Sequence, residues 1–203
     1  TWGRGNSSTS SAASPMRSLD VLAGRRAVAA AIYEGAVGLL GCAALLYATC
    51  TAGRPGDLRA ALLFLLLAIA LKREGFRVAH LVTHSLAGIA ALAALVALGR
   101  IQGAWVAALS GSLFLASRIP EADRPAGAGR LRLALFGGGL NALMALAGAA
   151  LYQALGGSYG PAALTWRDLV PLAGLALTWF LIDHVGWSVC IALEGGTARL
   201  GSF

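Results

Sequence analysis

Five polar side chains lie at similar depth inside the apolar runs of this chain, and their types are those that hold ligands, protons or metal ions in proteins. They are Glu34, His84, Asn141, Asp183 and His184. Counted from the predicted cytoplasmic ends of their helices at about 1.5 Å per residue, all five lie roughly 9–15 Å inside the membrane. Ionisable groups at this depth are costly and usually face a bundle interior, a partner or water. The pattern therefore predicts a shared polar layer around a ligand pocket.

The same residues also fit a structural alternative. The layer could be a hydrogen-bonded cluster that satisfies itself, or Glu34 could pair with Arg25 or Arg26 near the membrane surface. Asp183 and His184 lie nearest the middle of the membrane, so this pair is the first choice for a ligand contact. Both alternatives remain open at the level of sequence.

Histidine and cysteine spacing gives no metal signature. His80 and His84 stand four residues apart and could share one helix face, but no third ligand follows at a fixed spacing. Cys42, Cys50 and Cys190 lie inside apolar runs, without a CxxC pair, and are typical of small buried apolar residues. We therefore predict no metal site, and the sequence leaves the cofactor unknown.

Motifs of known catalytic sites are absent from the sequence. The chain contains no P-loop, dinucleotide fingerprint, HExxH, GxSxG or deaminase pattern. Acid–base and nucleophilic catalysis need a positioned pair of groups, and few candidates exist here. We therefore predict no catalytic residue and a protein that is not an enzyme.

Composition indicates a helical membrane protein. Of the 203 residues, 58% are hydrophobic and 12% are charged, whereas soluble domains average about 45–50% and about 25%. The excess consists of Ala, Leu and Gly, which are common in membrane helices. A net charge of +7 in a soluble protein would suggest nucleic acid. Here the arginines lie between apolar runs, so we expect contact with anionic lipid headgroups and no nucleic acid.

Six apolar runs divide the chain. A span needs about 20 residues, within a range of about 17–25, and five of the runs are long enough. The second run is short, so it either crosses with snorkelling ends and local thinning or forms a re-entrant or interfacial segment. The runs are Ala27–Ala52, Ala60–Leu71, Val78–Gly99, Ile101–Ser117, Leu133–Leu155 and Leu169–Leu193.

The basic residues favour six crossings with the N-terminus inside. In that arrangement twelve Lys and Arg residues lie inside and four lie outside. If the second run did not cross, the basic loop 118–132 would face outward. The outer four are Arg54, Arg59, Arg100 and Arg167, and the aromatic residues near the outer ends are Tyr47, Trp105, Tyr152, Tyr159 and Trp166. We therefore predict an all-α membrane protein with six transmembrane helices and both termini cytoplasmic.

Small residues recur at helical spacing and predict close helix contacts. Membrane helices associate mainly through such residues, because lipid provides no hydrophobic drive between them. We expect contacts within the chain, the alternative being a docking face for another subunit. The residues are Gly103, Ala107 and Gly111 in the fourth run, Gly35, Gly38 and Gly41 in the first, and Gly137, Gly138 and Gly139 in the fifth.

The chain divides into a tail and one membrane domain. Residues 1–24 form a polar, Ser-rich tail that resembles disordered segments in composition. Residues 25–203 form a single transmembrane domain, and about ten residues follow the last run. We expect no soluble domain in this sequence.

The order of features from about residue 26 to 203 resembles the multi-helix N-terminal membrane region of bacterial HD-GYP and GGDEF signalling proteins. The matching segments are KREGFRVAH, LVALGRIQGAWVAALSG, LRLALFGGGLNALMALAGAALYQALGG and TWFLIDHVGWSVCIALEGG. The family more often has an Asn-Thr pair where Asp183 and His184 stand. The sequence up to Phe203 contains no cyclic di-GMP catalytic domain, so we expect either a fragment of a longer protein or a membrane module that works alone. The resemblance implies a multi-pass protein of the bacterial inner membrane. Helix number and the Gly-rich fourth run are also similar to substrate-binding subunits of energy-coupling-factor vitamin transporters.

These patterns predict a non-enzymatic membrane module. It would act through helix contacts as an accessory, scaffold or sensory subunit, with other membrane proteins as partners. The alternative is a small-molecule-binding or transport subunit, which would need a separate energy-coupling partner because the sequence has no ATP-binding motif.

Overall fold

The computed structural model describes residues 14–52, 57–73, 76–79, 82–84, 87–118, 127–160 and 165–193. The tail before Ser14, His80, the centre of the basic loop and residues 194–203 lie outside the described residues. The elements are α1 (Ser14–Ala52), α2 (Leu58–Arg73), β1 (Phe76–Ala79), β2 (Val82–His84), α3 (Ala87–Leu98), α4 (Arg100–Arg118), α5 (Gly127–Ala154) and α6 (Leu169–Leu193), with a 3₁₀ turn at Trp166–Asp168.

Three helical segments are long and apolar enough to cross a membrane. They are Gly24–Ala52 in α1, Gly129–Ala154 in α5, and Trp166–Leu193, which joins the 3₁₀ turn to α6. The apolar parts of α2 and α3 are shorter, Leu58–Leu71 and Ala87–Leu98. The protein is therefore helical, with three helices suited to span a membrane.

The third apolar run, Val78–Gly99, was predicted to form one helix, but the structure differs. Its first part pairs as an antiparallel hairpin of β1 and β2, with Phe76 opposite His84, and the helix begins only at Ala87. Aromatic and β-branched residues are concentrated before Ala87, and these residue types favour strands. Outside this hairpin the described elements are helical, so the predicted all-α class is confirmed.

The α3–α4 connection is a single residue. Gly99 has φ +92°, which favours glycine because a Cβ is strained in this region. Its N–H donates to Leu95 O at 3.0 Å, and its own carbonyl accepts from Gly103 N at 3.0 Å. A Cβ at Gly103 would overlap the backbone of Leu95. Helices α3 and α4 therefore pack closely as an antiparallel pair.

Helix α5 is central and packs against α1, α4 and α6. Arg132, near the start of α5, contacts Glu34, which lies near the middle of α1. Further along both, Gly139 lies against Gly41. The two helices therefore run parallel.

Helix α6 runs antiparallel to α5. Leu155 at the end of α5 lies against Gly174 near the start of α6, and Leu140 lies against Gly186 near its end. The start of α5, the part of α1 around Glu34 and the last turn of α6 therefore lie at one end of the bundle core, which we call the Arg132 end.

The opposite end is closed by the chain that follows α5. Tyr152 donates its hydroxyl to Ser158 O at 2.9 Å, and Tyr159 donates to Ala149 O at 3.0 Å. Gly160 N donates to Val96 O at 3.1 Å, which fastens this segment to α3. These bonds hold the segment over the ends of α3 and α5.

Candidate functional site

A buried carboxylate joins three helices near the Arg132 end. Glu34 of α1 is only 2% exposed. Arg132 of α5 donates from Nε to Glu34 Oε2 at 2.6 Å. Cys190 of α6 donates from Sγ to Oε1 at 3.6 Å. Each carboxylate oxygen therefore has a partner on a different helix. We call Glu34, Arg132 and Cys190 the Glu34 cluster.

Aromatic side chains surround the Glu34 cluster. Tyr33 donates its hydroxyl to Gly186 O at 3.1 Å and links α1 to α6. Phe136 is fully buried and packs edge-on against Trp187, with 5.3 Å between ring centroids. The rings of Tyr33 and Phe136 are 5.9 Å apart. This apolar shell removes water from one side of the ion pair and strengthens its electrostatic attraction.

Glu34 pairs with a cation that the sequence analysis did not propose for it. Arg25 and Arg26 are exposed on the first turns of the apolar part of α1. Arg132, which the sequence assigned only to the basic inner loop, supplies the cation. Its side chain is 45% exposed, so it reaches from the surface of the bundle to the buried carboxylate. Because α1 and α5 are parallel, a basic residue at the start of α5 lies at the depth of Glu34.

Asn141 lies in a different contact, between α4 and α5. Its Nδ2 donates to Gly137 O, one turn earlier on the same helix, at 2.7 Å. A Cβ at Gly111 of α4 would lie 2.6 Å from Asn141 Nδ2. Asn141 thus satisfies its amide on its own helix while it packs against a glycine of α4.

Asp183 and His184 are neighbours in sequence, but their environments differ. Asp183 is partly exposed and takes part in contacts. His184 is exposed and stacks on Phe180, with 5.8 Å between centroids and 11° between the ring planes. Among the described residues, no hydrogen bond joins His184 to the Glu34 cluster.

His84 lies in β2 rather than inside a membrane helix, and its side chain is outside the described part. Four residues of the predicted layer therefore have separate surroundings: a three-helix junction for Glu34, an α4–α5 contact for Asn141, the α6 surface for His184 and a strand for His84. Their role as ligand-binding residues stays a prediction. Arg132 and Cys190 are the contact residues that sequence reasoning missed.

Small residues mediate the closest helix crossings. Gly38 and Gly41 of α1 face Gly139 of α5, where a Cβ would lie 2.6 Å from Gly38 Cα and O. Gly35, which shares the predicted stripe, has open space around its Cβ position. Two of the three glycines predicted on α1 therefore contact α5. A side chain at Gly139 would push α1 away from α5.

The small residues of α4 contact both α3 and α5. Gly103 meets α3, whereas Gly111 meets α5, and Ala107 between them is fully buried. Gly138 of α5 lies against Ser112 of α4, and the carbonyl of Gly137 faces Gly111. All of these small residues lie at contacts within the chain.

The larger of two described cavities is at the end opposite to the Glu34 cluster. It has a volume of about 270 Å³ and is open to the outside. Its lining residues are Leu98, Gly99, Arg100, Ile101, Gln102, Gln153 and Tyr159. Burial raises the pKa of Tyr159 to about 12, against the opposing effect of the Arg100 charge. The predicted polar layer does not contribute to this cavity.

Metal-binding groups do not cluster within the part of the chain that the structure describes. No three His, Cys, Asp or Glu residues come together there. The Glu34 cluster offers one carboxylate and one thiol, and the carboxylate already contacts a guanidinium. Its arrangement is suited to hold three helices together.

Known proteins do not assign this arrangement to a family. Comparison of the chain with protein-family models, with curated proteins and with solved structures gives no match.

Proposed function

We propose that the chain is a non-enzymatic integral membrane module that acts through helix contacts, as an accessory, scaffold or sensory subunit of a membrane complex. The observation that carries the proposal is the contrast between α5 and α6. In the most apolar window of each, 56% of α5 is buried but only 17% of α6. The internal contacts use the small residues, while α6 offers most of its surface to lipid or to another helix.

The proposed topology has six crossings, with both termini in the cytoplasm of a bacterial cell. The parallel α1–α5 pair and the antiparallel α5–α6 pair support alternating crossings. Trp105 Nε1 at the start of α4 donates to Thr49 Oγ1 at the end of α1, at 3.0 Å, which gives α4 the direction opposite to α1. The distribution of arginines then favours the Arg132 end as the cytoplasmic one.

Helices α2 and α3 are shorter than the hydrocarbon core that they would cross in a six-span arrangement. At about 1.5 Å per residue, the 16 residues of α2 and the 12 of α3 reach about 24 and 18 Å, against a hydrocarbon core of about 30 Å. Local thinning and a hairpin β1–β2 in the headgroup region would accommodate them.

Reporter fusions test the topology. Alkaline phosphatase, active only outside the cytoplasm, is fused after Asp57 and, separately, after Phe203. We expect activity at Asp57 and none at Phe203. An active fusion after Phe203, with an inactive green fluorescent protein at the same position, would contradict the proposed topology.

Extraction from native membranes in a mild detergent, followed by sizing and mass spectrometry, tests the function. A stoichiometric complex with other membrane proteins supports an accessory or scaffold role, and its members would identify the pathway. A chain that migrates alone would refute that role. The resemblance to the membrane region of HD-GYP and GGDEF signalling proteins makes a sensory complex our first expectation.

A ligand-binding or transport subunit is the second candidate, and the cavity beside Tyr159 favours it. Arg100, Gln102 and Gln153, which carry groups that can bind a polar ligand, are among the residues that line this cavity at the proposed outer surface. Co-purification with an ATPase and a coupling subunit would support this function over the first. Retention of a small molecule that Arg100→Gln abolishes would place its binding at this cavity.

A further inference from the structure

Helix α6 presents one continuous exposed face that contains two polar side chains. Leu177, Phe180 and Leu181 are 50–58% exposed, and His184 and Ser188 continue the same side. Their spacing of three and four residues places them on one face of the helix. We call these five residues the His184 face.

This face is unfavourable against lipid alone. His184 stands nine residues before Leu193, the end of α6, so it lies roughly 14 Å from that end. Phe180 covers one side of the ring, but within the described residues neither the imidazole nitrogens nor the Ser188 hydroxyl makes a hydrogen bond. Hydrocarbon offers no partner to such groups. Polar side chains in spans usually face a protein contact for this reason.

A second copy of the chain can satisfy this face. Copies inserted in one membrane have the same orientation, so a two-fold axis along the membrane normal brings two α6 helices together in parallel. His184 then meets the His184 of the second copy at the same depth, and Ser188 meets its counterpart. A neutral imidazole has one donor and one acceptor, and a hydroxyl has both. The face is therefore self-complementary and needs no counter-ion.

The backbone can also approach closely on this side. Ala173, Ala176 and Ala192 are exposed on or beside the same face, and small residues allow close contact between membrane helices. We propose that the His184 face of α6 is a homodimer interface, in which His184 and Ser188 form hydrogen bonds between two copies. This inference rests on the proposed function, since it names the surface through which the module makes its contacts.

The test measures dimerisation of the full chain in lipid nanodiscs and in mild detergent. The double variant His184→Leu/Ser188→Ala makes α6 more apolar, so insertion and folding are preserved. An interhelical hydrogen bond in a membrane strengthens association about threefold to about twentyfold, so the loss of two predicts roughly tenfold or greater weakening of the dimer. Tyr47→Phe is the control, because it removes a hydroxyl from the exposed face of α1.

A photocrosslinking amino acid tests the surface in intact cell membranes. Placed at Leu181, it should yield a band of two chains; placed at Leu39, which is 67% exposed on α1, it should not. A monomeric wild type, or a double variant that dimerises like the wild type, overturns the proposal. A crosslink from Leu181 only to a different protein also overturns it and assigns the face to another subunit.

These outcomes separate the interface from the proposed function. A stoichiometric complex with other membrane proteins that survives the double variant, together with unchanged dimerisation, refutes the His184 interface and leaves the module function standing. A dimer that depends on His184 but extracts without other proteins refutes the accessory role and leaves the interface standing.

Discussion

The Glu34–Arg132 pair gives the sharpest test of how the bundle is held together. Arg132→Met removes the cation and leaves the Glu34 carboxylate, 3% exposed, without its strongest partner. Breaking a buried ion pair costs about 3–5 kcal/mol, whereas an exposed pair contributes about 0–1 kcal/mol. Because the Arg132 side chain is 45% exposed, we expect a loss between these limits, about 2–3 kcal/mol in the free energy of unfolding.

The assay is unfolding of the purified protein in mixed detergent micelles with increasing dodecyl sulfate, followed by circular dichroism of the helices. Arg130→Met is the matched control, since Arg130 is exposed two residues earlier on the same helix, and it should change stability by less than about 0.5 kcal/mol. The double variant Glu34→Leu/Arg132→Met removes both charges and should recover most of the loss. Equal stability of Arg132→Met and wild type, or a double variant worse than Arg132→Met, would refute the reasoning.

Three further predictions concern a helix crossing, a turn and one tyrosine. Gly139→Leu should lower the free energy of unfolding by about 2–3 kcal/mol, because its side chain would overlap Gly38. Gly35→Leu is the control and should not lower it, because its side chain would enter open space. Similar unfolding curves for both variants would contradict the close crossing. Gly99→Ala should cost about 1–2 kcal/mol because of its positive φ, whereas Gly35→Ala should stabilise its helix; a neutral Gly99→Ala would show that the turn relaxes. Burial of the Tyr159 phenol raises its pKa to about 12, so the ultraviolet titrations of wild type and Tyr159→Phe should differ only above about pH 11, and a difference near pH 10 would show that the phenol is in water.

The long apolar helices could be predicted from the sequence. A hydrocarbon layer requires an apolar segment of a certain length, and composition alone reports that length. The ends were less predictable: α5 begins at Gly127, six residues before the apolar run that starts at Leu133. Arginines such as Arg130 continue the helix beyond the apolar core, so hydropathy marks the membrane rather than the helix.

Apolar content alone predicts one helix over Val78–Gly99 and not the β1–β2 hairpin, because it takes no account of the shapes of the side chains. Val78, Val82 and Thr83 are β-branched and Phe76 is aromatic, and these residue types favour strands. After Ala87 the run becomes Ala- and Leu-rich, and there the helix forms. The change in residue shape, which the sequence contains, marks the boundary better than hydropathy does.

The contacts of Glu34 could be predicted only in part. A buried carboxylate requires a cation or hydrogen bonds, and this requirement was clear from its position. Which cation it finds depends on how α1 is rotated about its axis. A helix that is apolar on every side does not specify that rotation. The glycines Gly38 and Gly41 set it, by bringing one side of α1 against α5, and so place Arg132 rather than Arg25 beside Glu34.

The parallel contact between α1 and α5 has a consequence for the order in which the protein matures in the membrane. Glu34 and Arg132 are 98 residues apart in the chain. At a synthesis rate of about 5–20 residues per second, α1 enters the bilayer roughly 5–20 s before its arginine is made. During that interval neither the carboxylate nor the Gly38–Gly41 surface has its final neighbour. Insertion of α1 and its attachment to the bundle are thus separate events, and translation sets the delay between them.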